Sequence, residues 1–248
     1  MRVAAIYDIH GNLPALDAVL RDVRNHDVDL IVVGGDVLGP MARETMARLL
    51  DLDVPARFIY GNGDRVVLAQ SRGEPIDEVP APYRESISWI ASRLDRNMLR
   101  ALAAWPPTCT VDVDGLGDVL FCHATASNDV DCFTRLTPDS RVSRLFAGVA
   151  ASVVVCGHTH MQFDRTVGAL RLVNAGSVGA PFAPPRGAHW LLLGPDVQLR
   201  QTPYDVDAAA LEMRATGFPR VEDVAIRYVL DPPPESESLA LFAPADAR

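Results

Sequence analysis

Basic residues are in short supply in this sequence. Its 248 residues carry 23 Lys and Arg against 32 Asp and Glu, for a net charge of −9 and a pI near 5.1. A chain of that sign has no general affinity for nucleic acid or anionic membrane, so neither is an expected partner. The basic stretches with interleaved aromatics that track a single strand are also missing, which argues against a nuclease. One small anionic substrate held by local cations is still compatible with this balance. Cysteine is sparse too: Cys109, Cys122, Cys132 and Cys156 show no C-x-x-C spacing, which speaks against a thiolate metal site or a disulfide framework. They read as small apolar residues in a reducing compartment. No apolar run is long enough to span a bilayer. Met1 to Asp8 reads as a strand rather than as the apolar core of a signal peptide. Together these absences lead us to expect a cytoplasmic protein. No stretch identifies an interface, and a homo-oligomer is compatible with the chain.

What is present is a rhythm of short apolar strands, loops and helices. Strands are expected at 2–7, 29–33 and 56–60, with helices over 13–25 and 43–50. That alternation indicates a parallel sheet with crossover helices. Residues 108–113 and 119–122 read as an antiparallel hairpin across Asp114-Gly115-Leu116-Gly117. Val153 to Cys156 is a Val-rich, non-alternating run, the pattern of a strand buried on both faces. Short strands separated by glycine turns follow, so the second half is expected to be more antiparallel. Residues 1–230 are expected to form one α/β domain, with 65–104 as a polar helical insertion near the site. Residues 231–248, with Pro232-Pro233-Pro234 and a Glu/Ser run, are expected to be a disordered tail.

Ligands of open α/β sheets bind beyond the carboxyl ends of the strands. The first strand ends at Asp8 and His10, the second at Asp36, the third at Asn62 and the hairpin at His123. The Val-rich run ends at His158 and His160. The chain has six histidines, and four of them stand at these breaks. All seven residues are oxygen or imidazole donors. Polar residues collecting at strand ends would explain one or two such positions, not seven. Seven donors exceed one tetrahedral site, and they suit two cations sharing a carboxylate, with Asp36 the natural bridge. Carboxylate, amide and imidazole without thiolate favour Mn, Fe, Zn or Co over Ca or Mg.

Asp8-x-His10-Gly11-Asn12, Gly35-Asp36, Gly61-Asn62-x-Asp64, His123 and Gly157-His158-Thr159-His160 resemble, in that order, the motifs of the calcineurin-like metallophosphoesterase superfamily. Asn174-Ala175-Gly176-Ser177-Val178-Gly179 is similar to a turn of its small bacterial and archaeal phosphodiesterase branch. The resemblance spans residues 1 to about 180. It implies a four-layer αββα sandwich with two mixed sheets. It also implies Asp8, His10, Asp36 and His160 on one metal, and Asp36, Asn62, His123 and His158 on the other. The activity it implies is hydrolysis of a small phosphorylated substrate by metal-bound hydroxide, without a covalent intermediate. One departure stands out. Many members carry a histidine after the third-motif asparagine, thought to protonate the leaving oxygen or bind the phosphate; here the residue is Gly63. A missing general acid costs about 10²–10⁴ in rate, so activated esters and diesters are favoured. A second reading keeps the fold and the metals but makes the chain a scaffold or protein-interaction module with little activity, as the retromer subunit of this fold is.

Three further residues are candidates for the surroundings of the site. Asn12 stands before a helix, where it could hold a phosphate oxygen or cap the helix. Asp64 could orient a ligand histidine or cap a helix. Arg65 could lend positive charge to a phosphate or lie on the surface. Asn174 and Ser177 are expected to shape a turn, and His26 and His189 to be structural.

Overall fold

The computed structural model describes residues 1–247. Its strands are β1 (Val3–Ile6), β2 (Leu30–Val33), β3 (Ala56–Phe58), β4 (Thr108–Val113), β5 (Gly117–Cys122), β6 (Val153–Cys156), β7 (Phe163–Val167), β8 (Leu170–Asn174), β9 (Ala188–Leu193) and β10 (Val197–Thr202). Its α-helices are α1 (Leu13–Val23), α2 (Ala42–Leu50), α3 (Asn62–Ser71), α4 (Ala81–Arg93), α5 (Arg96–Ala103), α6 (Asp139–Leu145), α7 (Val206–Ala215), α8 (Val221–Val224) and α9 (Glu235–Phe242). A π-helical turn over Ala225–Leu230 continues α8.

The strands form two mixed five-stranded sheets, in the orders β10-β9-β1-β2-β3 and β4-β5-β6-β8-β7. Alternate residues of each central strand explain the layering. Val3 and Ala5 of β1, Val32 of β2, Val155 of β6 and Leu191 of β9 point into a shared core between the sheets. Ala4, Ile6, Ile31 and Trp190 face outward, onto a second core beneath α1, α2 and the 65–104 helices. Val154 and Cys156 face a third core that includes Val142 of α6. A strand covered on both faces has no polar side to present, so the runs read as continuous apolar sequence. The result is a sandwich of two mixed sheets flanked by helices, the architecture expected from the sequence. Tyr7, fully buried between the sheets, donates from its hydroxyl to the Val155 carbonyl at 3.2 Å. It occupies the space that a side chain on Gly34 would need.

β1, β2 and β3 pair in parallel, and β5, β6 and β8 do the same in the other sheet. Their carboxyl ends, where those sheets stop, are the ends that carry the motifs. The antiparallel pairing expected late in the chain holds for β7–β8, β1–β9 and β9–β10 but not for β6–β8. The stretch from Asp231, which its composition marks as disordered, contains α9. Glu235 accepts a two-pronged hydrogen bond from Arg135, and the ring of Phe242 stacks 6.3 Å from that of Phe182. Local composition describes what a segment does alone; here a guanidinium and an aromatic ring from elsewhere give it something to pack on. Among the described residues, no helix is long and apolar enough to cross a membrane.

Candidate metal centre

The β1 loop turns through Asp8 and His10 with positive φ, 53° and 47°. Asp36 after β2, and His158 and His160 after β6, do the same at 51°, 65° and 58°. Five of the seven non-glycine residues in this conformation, among the described residues, are therefore strand-end donors. Left-handed backbone costs a side-chain-bearing residue about 1–2 kcal/mol, and such strain persists where surrounding structure over-determines it. The determinants are visible. His10 N–H donates to the Asp36 carbonyl (2.9 Å) and Asp8 N–H to the Gly35 carbonyl (3.1 Å). Ser177 Oγ and Gly179 N–H both donate to the Asp8 carbonyl, at 2.6 and 3.1 Å. Asn174 Nδ2 donates to the Gly157 carbonyl at 2.7 Å, tying the histidine loop to β8. Asn174 and Ser177 thus brace the site through a turn, as expected of them.

These turns bring the donors together. Asp8 Oδ1 lies 3.2 Å from His160 Nε2, 3.8 Å from His10 Nε2 and 4.0 Å from His123 Nε2. His10 and His160 approach to 3.1 Å between their Nε2 atoms. Asp36 Oδ2 is 3.6 Å from His123 Nε2 and 3.9 Å from His10 Nε2. Two groups of ligand atoms, Asp8–His10–His160 and Asp8–Asp36–His123, each fall within 4.8 Å of one another. Asn62 and His158 extend the second group. The Asn62 amide atom facing inward is 3.1 Å from His123 Nε2, 3.0 Å from His158 Nδ1 and 3.2 Å from the Asp129 carbonyl oxygen. All seven expected donors therefore converge. Glycines permit the crowding: a Cβ on Gly157 would sit 2.3 Å from Asp8 Oδ2, and one on Gly61 2.3 Å from Asp36 Oδ1.

The protonation pattern follows from the outer partners. His123 Nδ1 donates to the Gly34 carbonyl (3.0 Å) and His160 Nδ1 to the Ala180 carbonyl (2.6 Å), which orients both rings with Nε2 facing inward. Burial pushes His10 and His158 down to about 4, with His160 and His123 respectively adding to the effect, so both imidazoles are neutral near neutral pH. Burial would also lower His123, but Asp36 and Asp8 outweigh it and hold it above the ordinary value. Burial would raise Asp8, but His160, His123 and His10 reverse that and hold its carboxyl far below the usual range. Fully buried, Asp8 Oδ1 has no hydrogen-bond partner. With its oxygen inward, the Asn62 amide faces only lone pairs. Carboxylate, amide and imidazole groups crowding around an unpartnered carboxylate oxygen is an arrangement that a cation satisfies. On these observations the residues fit divalent metal.

The three surrounding candidates fare differently. Asn12 is fully buried and fully used: Oδ1 accepts from Ala15 N–H, and Nδ2 donates to the Gly179 carbonyl and to Tyr204 Oη. It caps α1 and has no donor left for a phosphate. Asp64 reaches no histidine nitrogen. Its two oxygens accept from Asp36 N–H (2.7 Å), Gly61 N–H (3.1 Å) and Val37 N–H (3.1 Å), so it caps α3 while fixing the backbone of Asp36. Burial, seconded by Asp36, pushes its carboxyl up to about 7. Arg65 grips Asp129 with two hydrogen bonds, at 2.7 and 3.2 Å, and reaches Glu78 at 3.1 Å. With its charge committed there, it holds the loop whose Asp129 carbonyl faces Asn62. Gly63 N–H donates to Asp36 Oδ1 at 2.7 Å, and a Cβ there would press on the Asp36 carboxyl at 3.1–3.3 Å. His26 and His189 lie outside the cluster, on Asp22 and the Pro185 carbonyl.

Some of the surroundings had no signal in the sequence. The Gly34, Asp129 and Ala180 carbonyls are backbone groups, which no residue type announces. Cys132 Sγ lies 3.5 Å from His158 Nε2, and the Phe182 ring sits 4.3 Å from the His160 ring. Both come from loops whose composition is unremarkable.

A family model described as the calcineurin-like phosphoesterase superfamily domain matches residues 1–193. An uncharacterized protein of Methanocaldococcus jannaschii is 29% identical over 194 residues, which cover 72% of this chain and 76% of that protein. A hypothetical protein from Pyrococcus horikoshii OT3 shares the fold with a TM-score of 0.77 at 19% identity, covering 92% of this chain and 98% of that one. A metallophosphoesterase from Sphaerobacter thermophilus superposes with a TM-score of 0.71 at 23% identity, covering 91% and 98%.

Proposed function

Because this chain belongs to the calcineurin-like phosphoesterase superfamily, we propose that it is a two-metal phosphoesterase whose substrate is a small phosphodiester. The observation carrying this reading is the convergence of the buried Asp8, Asp36, His123 and His160 with the half-buried His10, Asn62 and His158 around an unpartnered carboxylate oxygen. Asp8, His10 and His160 would hold one ion, and Asn62, His123 and His158 the other, with Asp36 between them. When bound, paired divalent ions neutralise phosphoryl charge and lower the pKa of water towards about 7. The thiolate-free donor set favours Mn, Fe, Zn or Co. In the reaction, water adds to phosphorus, one P–O ester bond breaks, and the products are a phosphomonoester and an alcohol.

The chain's own contribution is positioning. Asp64 and the Gly63 N–H fix Asp36 at its backbone and its carboxylate. The Gly34 and Ala180 carbonyls accept from Nδ1 of His123 and His160 and so turn their Nε2 atoms toward the cluster. At Gly63 the chain offers no proton to the leaving oxygen, so the about 10²–10⁴ in rate that a general acid contributes is missing and good leaving groups are favoured. The test is hydrolysis of bis(p-nitrophenyl) phosphate by metal-depleted protein supplied with Mn²⁺, Zn²⁺ or Co²⁺. Turnover that needs metal and disappears in Asp36→Asn is the expected result. Failure to take up any of these ions would sink this reading, and metal uptake without turnover would favour the scaffold.

A further inference from the structure

The donor cluster forms only one end of a cavity of about 610 Å³. His10, Asp36, Asn62 and His160 open into it. Beyond them the walls change character. Leu38, Val67, Ile87 and Ile90 form one side, and Phe182, Phe218, Ile226 and Tyr228 reach in from the chain's second half. The charged side chains on this far wall are all engaged. Arg220 pairs with Asp223 at 2.6 Å and lies over the Tyr83 ring, Glu222 takes a two-pronged bond from Arg214, and Arg227 meets Glu237 at 3.5 Å. Ser86 Oγ donates to the Pro219 carbonyl. A second phosphate would find no unpaired cation on that wall. Among the described side chains of that wall only the Tyr83 and Tyr228 hydroxyls have no hydrogen-bond or ion-pair partner, too few to pair the donors and acceptors of a nucleobase, and unpaired buried polar atoms are costly. The volume lies within the range of pockets that enclose organic ligands of drug size, which are mostly apolar.

Building on the phosphodiesterase reading, we propose that the substrate is a phosphodiester with one bulky apolar organic arm. That arm occupies the cavity beyond the metal centre, while the phosphate sits at the cluster and the other arm departs. The pocket sets specificity by excluding water from hydrocarbon, not by reading hydrogen bonds.

The experiment uses Mn²⁺-loaded full-length protein and a series of alkyl p-nitrophenyl phosphates, methyl to hexyl, so that the leaving group stays constant. kcat/KM is expected to rise about three- to fourfold per methylene over the first few, the gain from burying each CH₂. The hexyl-to-methyl ratio should fall about tenfold or more in Ile226→Glu, a half-exposed position where a charge faces the cavity without disturbing the core. In parallel, binding of methyl- through hexylphosphonate is measured by calorimetry, with Kd expected to tighten along the series. Turnover without chain-length dependence would overturn the apolar arm and leave the hydrolytic reading standing. Chain-length-dependent phosphonate binding with no turnover of any ester would uphold the pocket and overturn the hydrolytic reading. Faster turnover of cyclic nucleotides than of the hexyl ester would also overturn the proposal.

Discussion

The two ends of the cavity are built by opposite means. At the donor end, parallel strands of two sheets stop in loops with left-handed residues, and the side chains of Asp8, Asp36, His123 and His160 are held by backbone groups from neighbouring loops. At the apolar end, helices α3 and α4 face the α8 segment and its π-helical turn, and side chains meet mainly through shape. Strand ends can hold a carboxylate firmly because sheet hydrogen bonds set one flank of the loop and backbone bonds to the neighbouring loop set the rest. Helix faces can change their side chains without moving the backbone. A fixed chemical end and a variable binding end are what a scaffold needs to keep one chemistry and alter its substrate.

The largest expected effect breaks the donor end alone. Asp36→Asn should lower kcat by more than the 10–100-fold that outer-shell changes cost. Metal content by plasma mass spectrometry should drop with it, while the far-UV circular dichroism stays that of the wild type. Next comes metal removal. Mn²⁺ at about 100 times its Kd should stabilise the fold by about 2.7 kcal/mol. For a chain of this length that is about 5–10 °C in Tm, read by calorimetry before and after chelation; an unchanged Tm would separate the cluster from metal binding. Asp64→Asn tests positioning: an amide cannot accept all three backbone N–H bonds, so metal affinity should weaken about 10–100-fold, by titration with a fluorescent competitor chelator. The smallest effect is expected from Arg65→Ala. Its pairs with Asp129 and Glu78 are partly exposed and worth about 0.2–1 kcal/mol, so kcat/KM should fall by no more than about fivefold and by the same factor for short and long alkyl esters. A loss of two orders of magnitude would restore Arg65 as a phosphate-binding residue.

The donor set was legible because type and position coincided. A carboxylate or imidazole placed just after a Val-rich run is unusual enough to be noticed, and the parallel pairing of β1, β2 and β3, and of β5 and β6, sends those ends to one side. The surrounding residues were less legible. Asn12, Asp64 and Arg65 each admitted two readings, and their hydrogen-bond partners decided between them: Gly179 and Tyr204, the Asp36 backbone, and Asp129. The helix within 231–248 was missed because Arg135 and Phe182 lie far away in sequence.

By itself the sequence determined the strand order of donors, the two-faced burial of the central strands and the want of a proton donor at Gly63. These depend on residue type and on spacings of a few positions, which neighbouring residues already specify. Only the tertiary structure decided which backbone carbonyls orient the imidazoles, that Arg65 faces a carboxylate instead of the cavity, and that residues 218–228 close an apolar chamber against α4. Those outcomes join residues 20, 64, 89 and, for the chamber, 133 positions apart, and contacts across such distances are set by how the layers pack, which no local pattern encodes.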